Sequence, residues 1–287
     1  MKKLKYLLML CLLFVTTGCL KIDKNDNIKI VTTSYPIEYI TNYLYGDHSE
    51  IESIYPDGTN IGTYTLNDLQ INEFSKSDMY VFNGLSAKEQ DYVTKIFKKN
   101  KNIMIIDASS SIGYSYDENE LWLNPSNVLM LSRNIKNGLT EYVTSKLLKE
   151  EIETKYNELK IKISNIDAEI NTIYENAKHK YIITDNDTLK FLERYGFTVI
   201  SLESHDGVSE KNLADARNLI NNGTVKYIFT LNGTEVNKYV TDIKNSTNVE
   251  LLEMNSLSNL SDKQRSEKED YFSLINENIE MLKKELY

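Results

Sequence analysis

The spacing of apolar and polar residues divides this chain into three stretches. From residue 28 to 107, short β-branched and aromatic runs alternate with segments whose apolar residues recur every three or four positions. The same alternation returns at residue 178. The predicted strands are 28–33, 50–55, 78–83, 102–107, 180–184, 197–202, 225–231 and 249–254. Between them we predict helices beginning near Ile37 and over 67–75, 87–98, 187–195, 209–221, 234–245 and 271–285. This order predicts an α/β fold of two similar lobes with mainly parallel sheets.

In the middle stretch, 126–177, apolar residues recur at helical spacing throughout. Some fifty residues are too many for one ordinary helix, so we predict a break near 145–148 and a long linking helix over about 149–177. A coiled-coil oligomer would show the same spacing. Because the flanking lobes offer the apolar stripe a partner within the chain, a monomer is expected. The predicted lobes are therefore 28–125 and 178–287, with a ligand cleft between them.

The N-terminus has the features of an export signal. Residues 1–18 combine three Lys with an apolar run of about ten residues, half of the roughly twenty needed to cross a bilayer. Small residues before Cys19 resemble a bacterial lipobox, in which this Cys is lipidated and becomes the mature N-terminus, although Thr16 departs from the preferred Leu. A plain signal peptide is the alternative. Residues 19–27 would then tether the protein to the outer face of the cytoplasmic membrane.

Charge and cysteine content exclude several classes of function. The chain has 33 basic and 42 acidic residues, and loss of residues 1–18 removes three Lys and no acid, which takes the formal charge from −9 to −12. A nucleic-acid partner is therefore not expected. Cys11 leaves with the signal, so Cys19 remains without a disulfide partner. We find no nucleophile elbow, phosphate loop or zinc-protease motif, and His205 lies in a polar loop typical of a surface turn. The sequence predicts a binding protein and no enzyme.

Four strings carry a family resemblance. They are IVTTSYPIEYI at 30–40, IYPDGTN at 54–60, SDMYVFNGL at 77–85 and ELWLNPSNV at 120–128. They resemble the metal-binding solute-binding lipoproteins of zinc and manganese ABC transporters (cluster A-I). The resemblance implies two lobes that close modestly on an ion, a linking helix that limits the hinge, and an ABC permease that receives the ion.

The family's metal ligands, usually three His and one carboxylate, are replaced in this chain. The four positions fall between Asn60 and Gly62, on Glu120, on Asp185, and on Leu231 with Asn232 and Glu235 nearby. The tentative ligands are therefore Glu120, Asp185 and Asn60. The resemblance implies manganese or zinc as the ion, and an oxygen-only set favours manganese or calcium over zinc. A decayed site with solvated acids is the alternative.

Aromatic residues suggest a different ligand. The chain has 20 Tyr, and several fall near the presumed cleft: Tyr35, Tyr64, Tyr114 and Tyr116, beside Trp122. Such clefts bind organic ligands by stacking and hydroxyl hydrogen bonds. The residues predicted to line the cleft are Tyr64, Trp122, Asn232 and Glu235. The competing function is a surface adhesin or accessory lipoprotein on the same fold that binds no metal or binds an organic ligand.

Overall fold

The computed structural model describes residues 27–113 and 121–287. The predicted signal, Cys19 and nearly all of the tether lie outside these residues. Glu120, Tyr114 and Tyr116 lie outside them as well. The predictions made for these positions therefore stay predictions.

The N-terminal lobe is a four-stranded parallel sheet with helical crossovers. Its strands are β1 (Ile28–Thr32), β2 (Ser49–Ser53), β3 (Met79–Phe82) and β4 (Met104–Asp107), in the order β2-β1-β3-β4. The connecting helices are α1 (Tyr35–Tyr45), α2 (Asp68–Phe74) and α3 (Ala87–Lys99), and a short 3-10 helix (Gly46–His48) precedes β2. Every strand pair is parallel, so all four carboxyl ends lie at one edge.

Two helices follow and connect the lobes. A 3-10 turn (Leu121–Leu123) leads into α4 (Pro125–Tyr142), which is followed by α5 (Lys146–Asn176). The 31 residues of α5 extend about 46 Å. Neither α5 nor any other helix within the described ranges is apolar enough to cross a bilayer.

The C-terminal lobe repeats the architecture of the first. Its strands are β5 (Tyr181–Thr184), β6 (Thr198–Ser201), β7 (Tyr227–Leu231) and β8 (Glu250–Met254), in the order β6-β5-β7-β8, again all parallel. Its helices are a 3-10 helix (Asp187–Tyr195), α6 (Glu210–Asn221), α7 (Lys238–Ser246), α8 (Asp262–Ser266) and α9 (Tyr271–Leu286). The predicted fold class, two α/β lobes of parallel sheet joined by a long helix, is confirmed.

One apolar core runs through both lobes. It joins α1, α4, α5 and α9 to the inner faces of both sheets, and two smaller clusters fill the outer faces. Gly138 lets α4 lie close on β4, since a Cβ there would be 2.5 Å from Cδ1 of Ile106. The stripe of α5 is thus buried within the chain, as predicted.

Local capping accounts for the differences from the predicted elements. Residues 234–237 are not helical because Asn237 is the N-cap of α7 and its side chain accepts hydrogen bonds from the Tyr239 and Val240 N–H groups. Ser145 caps α5 in the same way, so that helix begins three residues before its predicted start. Helix α8 was not predicted at all. It is a single short helix that begins with a capping box between Ser261 and Gln264.

Candidate functional site

The two lobes meet at the carboxyl ends of their strands. The loops that follow β1 and β2 contact the loops that follow β7 and β8. Ligands of open α/β sheets bind beside the carboxyl ends of the strands. This junction is therefore the candidate site.

Residues 255–270, which we call the crossing segment, form much of this junction. They leave β8 in the C-terminal lobe and lie against the N-terminal lobe before α9 begins. The Tyr35 N–H donates to the Ser258 carbonyl at 3.1 Å, and the Gly58 N–H donates to the Leu260 carbonyl at 2.7 Å. Backbone hydrogen bonds thus connect the lobes directly.

Polar side chains add to these backbone contacts. The Asn259 amide donates to the carbonyls of Pro56, at 2.7 Å, and Thr59, at 3.1 Å. The Arg265 guanidinium donates to Glu38 at 3.0 and 3.2 Å and to Asp57 at 2.9 and 2.8 Å. Both carboxylates are held by paired N–H groups, which is the strong form of this interaction.

A cavity of about 350 Å³ lies between the lobes. It is lined by residues 58–62, 232–234, 256, 258–261 and 264, and none of these has an ionisable side chain. Its surface consists of amide, hydroxyl and backbone groups with two aliphatic side chains. The described part of this surface suits neutral or weakly polar groups and supplies no charged side chain.

Asn60 lines this cavity, but its amide group is already occupied. The nitrogen donates to the Gly233 carbonyl of the other lobe at 3.0 Å. The oxygen accepts from the Gly62 N–H at 2.8 Å and the Thr63 N–H at 3.3 Å. Asn60 therefore shapes its own turn and joins the lobes, and a cation would compete with two N–H groups for its oxygen.

Asp185 lies directly after β5 and is 3% exposed. Its backbone is fixed on both sides, since its N–H donates to the Phe229 carbonyl and its carbonyl accepts from Asn237 at 2.6 Å. It is not among the residues that line the cavity. Asp185, one of the predicted ligands, thus has a buried side chain at the edge of the second sheet where the strands end.

Asp187, two residues on, was not singled out from the sequence. Burial opposes its charge, yet hydrogen bonds from the His205 N–H and Ser201, together with Lys190, hold the pKa of this carboxyl below its usual value. The His205 N–H is 2.8 Å from one carboxylate oxygen, and the Lys190 ammonium is 2.9 Å from the other. Asp187 is therefore an ionised, internally paired group.

The residues predicted to line the cleft have different surroundings. Asn232 does line the cavity and accepts from the Ser256 N–H at 2.8 Å. Trp122 is 1% exposed and donates from its indole to the Ser256 carbonyl at 2.8 Å, so it is packed between the lobes. Tyr64 accepts from Gln70 at 2.7 Å and Glu235 is exposed; neither is among the lining residues.

No metal centre is assembled by the part of the chain that the structure describes. Within residues 27–113 and 121–287, no three His, Cys, Asp or Glu side chains are grouped so that they could hold an ion. Of the three predicted ligands, Asp185 and Asn60 fall in this part, and Glu120 does not. The prediction that the three act together is untested.

Sequence reasoning missed the crossing segment. Asn259 and Arg265 carry most of its side-chain contacts to the N-terminal lobe, and neither belongs to a recognisable motif. The available signal was the length of the polar stretch between β8 and α9, which far exceeds the usual connection of about 4–6 residues. Long connections of this kind are often functional.

Two parallel α/β lobes, a continuous linking helix and a cleft at the strand ends define a solute-binding protein. The family model described as "Zinc-uptake complex component A periplasmic" (ZnuA) matches residues 30–285. The chain belongs to this family, as its four sequence strings suggested.

The chain is similar in sequence to named metal-transport and metal-binding proteins. It is 27% identical over 220 residues to the "Manganese ABC transporter substrate-binding lipoprotein PsaA" of Streptococcus pneumoniae, an alignment that covers 68% of this chain and 70% of PsaA. It is 20% identical to the "Zinc-binding protein AdcA" of Streptococcus pyogenes, which aligns with 99% of this chain but only 61% of AdcA. The chain therefore spans about three-fifths of AdcA.

Solved structures agree on the fold. The laminin-binding protein Lmb of Streptococcus agalactiae, described as bifunctional "with adhesin and metal transporting activity", superposes with a TM-score of 0.74. The match covers 91% of this chain and all of Lmb at 17% identity. At that identity the likeness establishes the fold alone.

Proposed function

We propose that this protein is the extracytoplasmic solute-binding lipoprotein of an ABC importer for a divalent metal ion. The observation that carries the proposal is the family match over residues 30–285, and the two-lobed fold supports it. In this role the protein binds its ion between the lobes and delivers it to a permease. Its role is to bind the ion, and no catalytic step is involved.

The proposed ligands are Glu120 and Asp185. They occupy positions where the family resemblance implies imidazoles, and Asp185 is buried at the carboxyl edge of the second sheet. With carboxylate oxygen in place of imidazole, manganese or calcium is a better cargo than zinc. Asn60 could bind an ion only by giving up a hydrogen bond, because its oxygen already accepts two.

Ion binding can be measured as thermal stabilisation of the full protein. A ligand that binds only the folded state stabilises it by RT ln(1 + [L]/Kd), about 2.7 kcal/mol at a hundredfold excess over Kd. We expect manganese to raise the melting temperature and the double variant Glu120→Gln/Asp185→Asn to lose this shift. The control is Glu210→Gln/Asp242→Asn, which changes two exposed acids of the C-terminal lobe and should keep the shift.

A zinc shift that survives in the double variant would contradict this assignment. It would place the ion elsewhere, with His205 as the next side chain to substitute. Metal analysis of the purified protein gives an independent reading, since a bound ion should be present in wild type and depleted in the double variant.

Anchoring through Cys19 is a separate prediction. Radiolabelled palmitate should enter the wild-type protein and not Cys19→Ala, because only a thiol at the mature N-terminus receives the lipid. The matched control is Cys11→Ala, which should be labelled like wild type because Cys11 lies in the segment that is cleaved. Label in both Cys19→Ala and wild type, or in neither, would exclude the lipobox.

The second candidate is a surface interaction protein on the same fold. One observation favours it, which is that none of the described residues lining the cavity between the lobes has an ionisable side chain. Lmb, with the same fold, is described as an adhesin as well as a metal transporter. A metal-free purified protein that shows no shift with manganese, zinc or calcium would support this candidate over the importer.

A further inference from the structure

The chain enters the N-terminal lobe at the edge opposite the cleft. Strand β1 begins at Ile28, and the Asn27 N–H donates to the His48 carbonyl at 2.9 Å, just before β2. Because the sheet is parallel, the amino ends of all four strands lie at this edge. The cleft lies at their carboxyl ends. A tether that arrives at Asn27 therefore arrives on the side of the lobe that faces away from the cleft.

Three exposed lysines lie on the same amino edge. Helix α3 runs back along the sheet and ends at Lys99, and the Asn100 amide then donates to the Ser75 carbonyl at 2.9 Å, near the start of β3. Lys98, Lys99 and Lys101 are all exposed there. Neighbouring strands are about 4.8 Å apart, so β1 and β4, two strands apart, begin about 10 Å from each other.

The start of α5 lies on this edge too. His48 is 3.1 Å from Glu151, and the Lys155 ammonium is 2.6 Å from Asp47. These contacts hold the first turns of α5 against the 3-10 helix that precedes β2. Leu147 and Lys149, one turn earlier, are exposed beside it.

We give the name basic edge to two groups of exposed residues that flank the amino ends of the strands from opposite faces of the sheet: Phe97, Lys98, Lys99 and Lys101 at the end of α3, and Leu147 and Lys149 at the start of α5. Several acids nearby are paired: Glu50 with Lys29, Glu73 with Lys76 and Asp47 with Lys155. Two others are exposed, Asp78 at the start of β3, which accepts a hydrogen bond from the Lys29 backbone N–H, and Glu141 at the end of α4. The four lysines of the basic edge have no acidic partner among the described residues. These four lysines are therefore available to an external anion, on a chain whose formal charge is −9.

The basic edge also exposes apolar groups. Leu147 is 72% exposed and Phe97 is 41% exposed, with the Lys101 ammonium 4.3 Å from the Phe97 ring centre. Large apolar side chains between lysines are the composition of surfaces that lie at a membrane interface, where the rings and alkyl groups enter the headgroup region and the ammonium groups meet phosphate.

From these observations we infer that the basic edge rests on the anionic phospholipid headgroups of the membrane that carries the Cys19 anchor. The inference depends on the anchor in the proposed function. The chain from Cys19 to Asn27 reaches at most about 28 Å when fully extended, so the basic edge is within reach of the bilayer. In this orientation the cleft faces away from the membrane. The whole protein must therefore turn on its tether before the cleft can face a permease.

The orientation can be tested on the full lipidated protein in vesicles. Lipidated Cys19 has no free thiol and Cys11 is removed with the signal, so one introduced Cys carries a dye alone. Asn102→Cys places the dye beside the basic edge, and Glu235→Cys places it on the other lobe beyond the cleft; both positions are exposed. Energy transfer to an acceptor lipid reports which dye is nearer the bilayer.

We expect transfer from residue 102 to exceed that from residue 235 by roughly twofold in vesicles containing phosphatidylglycerol, and the difference to fall in phosphatidylcholine alone or at high salt. The triple variant Lys98→Glu/Lys99→Glu/Lys101→Glu should reduce the difference to that measured in phosphatidylcholine alone. Its control, Lys211→Glu/Lys238→Glu/Lys244→Glu, makes the same change of net charge on exposed lysines of the C-terminal lobe and should preserve it.

Equal transfer from the two positions, or equal effects of the two triple variants, would overturn the inference. Vesicle flotation separates this failure from failure of the anchor. A protein that floats without a difference in transfer retains its anchor and loses only the orientation. A wild-type protein that floats no better than Cys19→Ala has no anchor, and both proposals fall together.

Discussion

Glu89 is a buried carboxyl in the middle of the N-terminal lobe. It lies in the first turn of α3, is 3% exposed, and accepts a hydrogen bond from the Asn83 N–H at 2.8 Å. Burial raises its pKa to about 7, against hydrogen bonds from Asn83 and Tyr55 that favour the charged form. Tyr80, fully buried in the same core, has a hydroxyl without a hydrogen-bond partner in the described part of the chain.

This pKa makes the stability of the fold depend on pH. The folded state holds the Glu89 proton up to pH about 7, whereas the ordinary value for Glu is 4.5. Between these values the folded state binds more protons than the unfolded state, so stability falls as pH rises, by up to on the order of 3 kcal/mol. Glu89→Gln keeps the acceptor for Asn83 and removes the charge. We expect it to flatten this slope and to stabilise the protein at pH 8, measured by urea unfolding across pH.

Glu285 is a second buried carboxyl that makes stability depend on pH. Burial raises its pKa to about 7 as well, although the Lys226 and Tyr227 N–H groups favour its charged form. It lies at the end of α9, 3.1 Å from His179. Its contribution has the same sign, so part of the slope should remain in Glu89→Gln. Coinciding pH profiles for Glu89→Gln and wild type would show that Glu89 titrates normally.

Helix α5 connects the lobes through one buried face. Its apolar residues repeat at helical spacing, and Ile163 is 3% exposed in the shared core while Ile161, two residues earlier, is 62% exposed. Polar contacts fix both ends. Lys155 pairs with Asp47 in the first lobe, and Lys283 of α9 pairs with Glu169 at 2.7 Å in the second.

The two isoleucines form a matched pair for testing this packing. Ile163→Ala should reduce the free energy of unfolding by about 2–5 kcal/mol because it leaves a cavity in the core. Ile161→Ala should change it by less than about 0.5 kcal/mol, since an exposed side chain loses little. Denaturant unfolding of both variants gives the comparison. Equal losses would mean that the buried face of α5 is assigned to the wrong residues.

Proline tests the continuity of the same helix. Ile163→Pro removes a backbone hydrogen bond and clashes with the preceding turn, which should lower stability by about 3 kcal/mol or more. This loss of stability should exceed the loss in Ile163→Ala, and circular dichroism should show a lower helix content. A proline variant that melts like wild type would contradict an unbroken helix at this position.

At the scale of the whole molecule, the crossing segment holds the two lobes together. The Arg265 guanidinium is shared between Glu38 and Asp57, and it is 41% exposed while these partners are 18% and 26% exposed. Partial exposure screens such ion pairs, so each is expected to stabilise by about 1 kcal/mol or less. Loss of these ion pairs is therefore expected to lower the free energy of unfolding only slightly.

Arg265→Gln should loosen this junction without unfolding either lobe. We expect faster amide hydrogen exchange at Gly58 and over 258–266, with little change in the strands. High salt should produce part of the same effect in wild type. Arg217→Gln is the control, because Arg217 donates to Ser246 at 2.9 Å within the C-terminal lobe. Unchanged exchange around Gly58 in Arg265→Gln would exclude Arg265 from holding the lobes.

Local periodicity was sufficient to predict the strands, the longer helices and the fold class. The eight strands and the long helix follow from the spacing of apolar residues, because burial of one face imposes that spacing at every step along the chain. Short apolar runs such as MYVF at 79–82 are typical of buried strands in a parallel sheet. The resemblance of four strings to transport lipoproteins then identified the family, which the match over residues 30–285 confirms.

Only the tertiary structure decided what surrounds the cleft. Asn60 and Asn232 do line the cavity, but Asn60 joins the lobes through Gly233, and Trp122 is packed between them as a structural residue. Arg265 reaches acids that are more than 200 positions away in the sequence. Such contacts depend on the packing of whole lobes, whose geometry no local pattern encodes. Periodicity records which face of an element is buried, while the partner across the interface is set by the fold as a whole.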